Sequence, residues 1–377
     1  MQATRARGRP GTSALRHLDL TLLLSTIGIA AVGLVMVYSA TRQKQESAGL
    51  DPAFFLKRQA VFLALGLVAM AIVTLVDYHH IRDYAPVIYV VAMVTLLLVI
   101  SPVGTSRRGT QAWFQIGAFQ FQPSEVAKLV LIIALAAVCA AYRGHLETPG
   151  LLTALGLAFV PMALIYAQPD LGTNMVFVGI VIAVLLVAGA RPRHIAVLAL
   201  LGITALVLVV ELDMLQDYQR DRLTAFLDPQ TDTQRSSYNL RQSQIAIAAG
   251  GVSGRGLFQG TQTNLSFVPE QHTDFIFTAV GEELGFLGAL SLLGLFGVMM
   301  WRIWRAAVLA RDQLGRLLCV GVLAMLVFQI FENVGMTMGI TPITGIPLPF
   351  MSYGGSAMIT SCMAVGLVLN VHMRRFS

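Results

Sequence analysis

The segment Glu270-Gln271-His272-Thr273-Asp274 runs straight into an apolar stretch that begins Phe275-Ile276-Phe277. A carboxylate in the first turn of a helix is held ionised by the helix dipole, which keeps it available to accept a proton at some cost in base strength. Asp274 is therefore a candidate general base, although an ordinary helix-start acid gives the same pattern. His272 either orients it or is a plain interfacial histidine, and Thr273 lies between them. Gln122-Pro123-Ser124-Glu125 opens another apolar run, with proline at the first turn. Lys128 lies three residues past Glu125 and so on the same helix face. The pair forms either a structural ion pair or one polar wall of a substrate cavity. In Gln168-Pro169-Asp170-Leu171-Gly172-Thr173, Asp170 either caps the next helix or meets substrate or a metal. Arg58, beside Gln59 at the head of an apolar run, suits an anionic group.

Further groups are deeper in apolar runs, where a charge at a helix centre costs on the order of 3 kcal/mol. Glu282 and Glu283 are expected to pack or pair rather than react, and Glu332-Asn333 leaves both readings open. The loop from Pro342 to Phe350, continuing as Ser352-Tyr353-Gly354-Gly355-Ser356, is richer in Pro and Gly than a connector needs. Non-helical backbone at membrane depth survives only when buried in protein or lining a cavity, so this loop is expected to line one.

These residues are positioned by elements that expect lipid as solvent. The 377 residues are 56% hydrophobic and 12% charged, with mean hydropathy +0.71, whereas a soluble surface needs roughly a quarter charged residues. Apolar runs place helices near 18–40, 54–76, 85–103, 123–142, 151–167, 172–189, 194–211, 274–301, 316–338 and 353–372. The expected fold is an all-α polytopic membrane protein of about ten transmembrane helices. A tail at 1–17 precedes a single transmembrane domain at 18–376, with a long outer loop at 212–273 between helices seven and eight.

The net charge of +6 comes from short basic clusters between spans, which is the positive-inside pattern and not a nucleic-acid stripe. With Arg5, Arg7, Arg9 and Arg16 inside, the inner loops hold Arg82, Arg143, Arg191, Arg193, Arg302, Arg305, Arg311, Arg316, Arg374 and Arg375. The even number of spans puts both termini in the cytoplasm, and the first span reads as a retained helix without a cleavage site. Arg42, Lys44, Lys57, Arg58, Arg107 and Arg108 fall outside, against the rule. Cys139, Cys319 and Cys362 lie in apolar segments without metal-ligand spacing and read as small buried residues. The outer loop carries Tyr218, Arg220, Arg222, Asp228-Pro229, Arg241 and the run from Gly250 to Gly256. That run matches neither a P-loop nor a dinucleotide fingerprint, and a bent re-entrant segment is the expectation.

On this parity Arg58, Glu125, Asp170, Asp274 and Ser352 all reach outer helix ends, and one outward-facing polar site is the economical reading. No nucleotide motif faces the cytoplasm, so an enzyme here needs a substrate carrying its own activated bond. At these residues the sequence resembles the SEDS family of bacterial shape, elongation, division and sporulation proteins. The likeness runs through Asp19-Leu20 to Val37-Tyr38-Ser39-Ala40-Thr41, Lys57-Arg58-Gln59, Gln122 to Lys128, Gln168 to Thr173, Gly256 to Gln262, Pro269 to Glu283 and Asn333 to Ser356. The ending Pro349-Phe350-Met351-Ser352-Tyr353-Gly354-Gly355 is most similar to the RodA branch.

The resemblance implies a peptidoglycan glycosyltransferase of the bacterial cytoplasmic membrane that polymerises lipid II onto a growing glycan strand, usually beside a class B penicillin-binding protein. It puts the essential aspartate of a His-Thr-Asp-Phe motif on Asp274. Arg58 and Lys128 would then stabilise the leaving pyrophosphate. Gln122, Ser124, Glu125, Asp170, His272, Thr273, Ser352 and Tyr353 would shape the substrate site. No cofactor is evident and a divalent cation is left open. Gln271 stands where the family commonly has Arg. A lipid II flippase and a noncatalytic scaffold are the other readings; alternating access predicts midplane sites and inverted repeats, which the sequence lacks.

Overall fold

The computed structural model describes residues 17–107, 110–117, 119–142, 144–211, 226 and 235–376. Among the described residues seven helices are long and apolar enough to cross a membrane: α1 (Leu20–Ser47), α2 (Phe54–Leu75), α5 (Pro123–Ala140), α6 (Thr148–Ala167), α11 (Ile276–Val308), α12 (Gln313–Met338) and α13 (Gly355–Met373). Shorter apolar helices are α4 (Ala85–Ile100), α7 (Leu171–Val187) and the Pro192–Gly202 part of α8 (Pro192–Glu211). The protein is therefore an all-α polytopic membrane protein, and the seven long helices with the three shorter ones match the expected spans.

α5 and α13 form the interior. α5 packs on α4, α6, α7, α12 and α13, while α13 packs on α2 and α12. Most of the side chains of both are buried. The outer helices present large apolar side chains outward instead, such as Val61, Leu65, Val68 and Ile72 on α2. An apolar belt of this kind is stable against hydrocarbon and not against water.

Three regions depart from the expected layout. The connection after α4 is a three-stranded antiparallel sheet, β1 (Thr105–Arg107), β2 (Thr110–Ile116) and β3 (Phe119–Phe121), in the order β1-β2-β3. No element is expected from the sequence here, where polar and aromatic residues mix. α1 runs on to Ser47, so Arg42 lies on a helix; it donates to the Phe258 carbonyl at 2.9 Å and sits 4.9 Å above that ring. The long connection between α8 and α11 contains α9 (Arg235–Gly250) and the short α10 (Thr261–Asn264). A short helix α3 (Tyr78–Asp83) also follows α2. Arg108, Arg143, Tyr218, Arg220, Arg222, Asp228-Pro229 and the N-terminal arginines lie outside the described residues, as does the tail at 1–16.

α11 is two helices joined at Gly285, whose φ of 66° and ψ of −164° suit only glycine. Phe286 to Val308 alone spans about 35 Å at 1.5 Å per residue, enough to cross. The run 250–256 supplies the hydrogen bonds lost at the break. Arg255 and Gly256 donate to the Glu282 and Glu283 carbonyls, and Phe286 and Leu287 donate to the Gly251 and Val252 carbonyls. A Cβ on Gly250 would lie 1.9 Å from the Gly281 carbonyl oxygen, and one on Gly254 2.2 Å from that of Glu283. The glycines thus permit backbone to meet backbone, as a bent inserted segment requires. Glu282 accepts from the Gln262 and Thr263 amides at 2.7 and 2.9 Å, and Glu283 from Ser39 Oγ and the Phe258 amide. Both glutamates have the packing role expected of them.

At the opposite helix ends, charges pair with one another. Arg302 clasps Asp19 with contacts of 2.5 to 3.1 Å. His79 lies 2.9 Å from both Asp77 and Asp312, Tyr78 donates to Asp312, and Arg374 approaches Asp77 at 3.5 Å.

Candidate functional site

The loop between α12 and α13 is the hub of the polar end. Gly345, at φ 76°, lies against Asp274, whose Oδ2 is 3.5 Å from where a Cβ on Gly345 would stand. A Cβ on Gly172, in the first turn of α7, would stand 3.0 Å from the Thr344 carbonyl oxygen. Asn333, wholly buried on α12, donates to the carbonyls of both Asp274 and Ile346 at 2.8 Å. One amide thereby fixes the aspartate against the loop. Further along, Ser352 Oγ accepts from the Leu348 amide at 2.8 Å, and Tyr353 donates its amide to the His272 carbonyl at 2.8 Å. Gln59, wholly buried on α2, donates to the Ser352 carbonyl at 3.0 Å and accepts from the Gly354 amide at 3.3 Å.

Asp274 is half-buried and its amide donates to the Glu270 carbonyl at 3.2 Å, closing a tight turn. The helix begins at Ile276 with Phe275 as its cap, so Asp274 stands just ahead of the first turn rather than inside it. It still faces the positive end of the half-helix Ile276 to Leu284. Gln271 is buried and donates to the hydroxyls of Thr263 and Thr278, both at 3.0 Å. The residue that departs from the family pattern therefore stitches the connection to α11.

The predicted residues separate into two groups. His272, Thr273, Asp274, Ser352 and Tyr353 are drawn together by the loop, with Arg58 on the same helix as Gln59. Arg58 is half-buried, with its guanidinium 5.5 and 5.8 Å from the rings of Phe54 and Phe62. Gln122 joins through its backbone: its amide donates to Ser356 Oγ at 3.0 Å, while that hydroxyl donates to the Gln120 carbonyl at 3.2 Å. The others are engaged elsewhere. Asp170 accepts from the Thr173 amide and hydroxyl at 2.9 and 2.7 Å, so both its oxygens serve as a helix cap. Glu125 and Lys128 pair at 2.8 Å with 3% and 1% of their surfaces exposed, and Ser124 is fully enclosed beside them. The pair is closed off from the surface.

Sequence reasoning placed Asn333 between two roles and passed over Gly345 and Gln59 as working parts. A buried amide inside an apolar run is the signal that marks both side chains, since such a group stays in lipid only when its hydrogen bonds are met. Among the described residues no group of three or more His, Cys, Asp or Glu is placed to share a metal ion.

With this geometry in hand, residues 19–376 match the family of cell cycle proteins that joins FtsW, RodA and SpoVE. The chain belongs to this family. Stage V sporulation protein E of Bacillus subtilis is 40% identical over 94% of this chain and 96% of its own length. Peptidoglycan glycosyltransferase MrdB of Escherichia coli is 36% identical over 95% of this chain and 94% of its own. Among solved structures, a chain of a peptidoglycan synthase complex that coordinates polymerisation and crosslinking superposes with a TM-score of 0.81 at 34% identity, covering 96% of this chain and 99% of that one. The rod shape determining protein RodA of Thermus thermophilus superposes at 0.71 with 31% identity, covering 96% and 98%. This SEDS family member shares its fold and its length with those relatives.

Proposed function

We propose that the protein is a peptidoglycan glycosyltransferase that polymerises lipid II at the outer face of the bacterial cytoplasmic membrane, for wall elongation and cell shape. The observation that carries this reading is the place of the Asp274 carboxylate, half-buried at the head of a half-helix, steadied through its backbone carbonyl by Asn333 and 3.5 Å from where a Cβ on Gly345 would stand. Full-length likeness to named peptidoglycan glycosyltransferases supports it.

In this mechanism Asp274 removes the proton from the 4-hydroxyl of an acceptor GlcNAc. That oxygen bonds to C1 of a donor MurNAc as the bond from C1 to undecaprenyl pyrophosphate breaks. An α-linked donor giving a β-linked glycan means inversion, so a single displacement suffices. Pyrophosphate leaves without a protein acid. Arg58, with its charge lying along two aromatic rings at the membrane edge, is the cation assigned to the leaving group. Glu125 and Lys128 act one step removed, holding the head of α5 that carries Gln122. His272, Thr273 and Tyr353 border the acceptor, and Ser352 shapes the loop. A class B penicillin-binding protein is the crosslinking partner, membrane lipid the surround, and both termini are cytoplasmic.

The test gives lipid II in detergent to the purified wild type and to Asp274→Ala, with and without the partner, and resolves glycan chains on a gel. Polymer is expected from the wild type alone. Equal polymer from both proteins would remove Asp274 from the chemistry; folding and partner binding retained without polymer would remove the scaffold reading.

A further inference from the structure

Beside Asp274, three rings from three separate chain segments meet. Phe55 of α2 lies 5.0 Å from His272 and 5.0 Å from Tyr353, and His272 lies 5.6 Å from Tyr353. Their planes cross at 60°, 81° and 45°, so they form a corner and not a stack. All three are half-buried, leaving ring surface accessible.

An interfacial belt of aromatics would account for single rings at a membrane edge. It does not account for this construction. Gln59 grips the residues on both sides of Tyr353, and the Tyr353 amide bonds to the His272 carbonyl, so the backbone beneath two of the rings is tied directly. Phe55 stands four residues before Gln59, one helical turn away on the same helix. Phe62 closes the far side, 6.2 Å from Tyr353 and 5.6 Å from Phe119 of the sheet. A rigid aromatic corner whose members include a phenol and an imidazole matches a ligand with an apolar face and a polar rim. A pyranose ring is such a ligand: its axial C–H bonds make an apolar face and its hydroxyls the rim.

We infer that Phe55, His272 and Tyr353 form a carbohydrate subsite that stacks a sugar ring of the acceptor glycan beside Asp274, with Phe55 as its platform and Gln59 as the positioning residue that sets Tyr353. The inference rests on the glycosyltransferase reading and adds to it the face by which the acceptor is held.

The test compares wild type with Phe55→Ala, Phe55→Leu and Phe55→Trp. In lipid II polymerisation, Phe55→Ala and Phe55→Leu are expected to raise KM by about tenfold with kcat held to within about twofold. Phe55→Trp is expected to keep the wild-type KM. Phe55→Leu preserves apolar bulk, so its behaviour separates a stacking ring from mere filling. A second measurement uses saturation-transfer NMR with a soluble GlcNAc–MurNAc tetrasaccharide, on the protein carrying Asp274→Ala. Saturation of the sugar C–H protons is expected, and its loss when Phe55→Ala is added. Wild-type KM in Phe55→Leu, or sugar saturation indifferent to Phe55→Ala, would overturn the subsite while the polymerase reading stood. Phe55-dependent sugar saturation in a wild type that makes no polymer would do the reverse.

Discussion

The two ends of the bundle solve opposite problems. At the Asp19 end, charged side chains neutralise each other: Asp19 with Arg302, Asp77 and Asp312 around His79, Arg374 beside Asp77. At the Asp274 end, Gln59, Asn333, Ser352, Ser356, Glu282 and Glu283 mostly engage backbone. The reason is the chain between helices. The connections around the Asp19 end are short, whereas the Asp274 end carries a broken helix, an inserted glycine run and a Pro-rich loop. Irregular backbone near lipid needs partners, and these buried side chains supply them. Pairing makes a clamp; fastening backbone makes a frame around the half-buried Asp274.

The comparison predicts where function and stability separate. Asp274→Asn should cut polymerisation by at least about 100-fold while leaving the melting temperature in detergent unchanged; a matching loss of stability would mean the carboxylate is part of the frame. Gly285→Ala should act through the frame. Its backbone conformation costs a non-glycine residue about 1–3 kcal/mol, and the new Cβ would stand 2.2 Å from the Gly254 amide nitrogen. A large drop in melting temperature is expected, together with lost activity. Asn333→Leu removes both bonds that hold the Asp274 carbonyl and the loop, and should lower kcat by about tenfold with KM less affected. A fall in stability alone would deny it a positioning role.

At the Asp19 end the expected effects are on stability and not on catalysis. Burial pushes Asp77 upward, but the His79 amide and ring, with Arg374, outweigh it and hold its pKa below the ordinary 3.8. A carboxylate depressed on folding adds stability above its unfolded value, lost as pH falls through the lower folded one. The advantage of wild type over Asp77→Asn in melting temperature should therefore be present at neutral pH and shrink below 3.8, with polymerisation at neutral pH retained. An advantage that grew with acid would break the assignment. The smallest effect is expected at Asp170→Ala: loss of about 1 kcal/mol of cap, restored by Asp170→Ser. Activity falling further than stability would return Asp170 to the substrate.

Much of this was legible before any coordinates. The spans follow from apolar length, and the gathering of Asp274, Arg58 and the 342–356 loop at one end follows from parity alone. What parity could not give was which groups were engaged. Asp170 and Asp274 look alike in sequence, each acidic and each at a helix head; the Thr173 contacts that make Asp170 a cap are not readable there. Glu125 and Lys128 share a helix face by spacing, yet their enclosure depends on α12 and α13, elements distant in the chain. The sheet at 105–121 was missed because its strands are short and its pattern is polar, and the break at Gly285 because an apolar run does not record a reversal of one dihedral angle.

The seam between 250–256 and α11 also bears on how the protein is made. Those glycines leave the ribosome before the half-helix they will hold, and the carbonyls of Glu282 and Glu283 meet the Arg255 and Gly256 amides only when both are in place. The seam can therefore close only once the half-helix has been made. Completion of the Asp274 end is thus a docking event between two segments of the chain, distinct from the threading of spans through the bilayer.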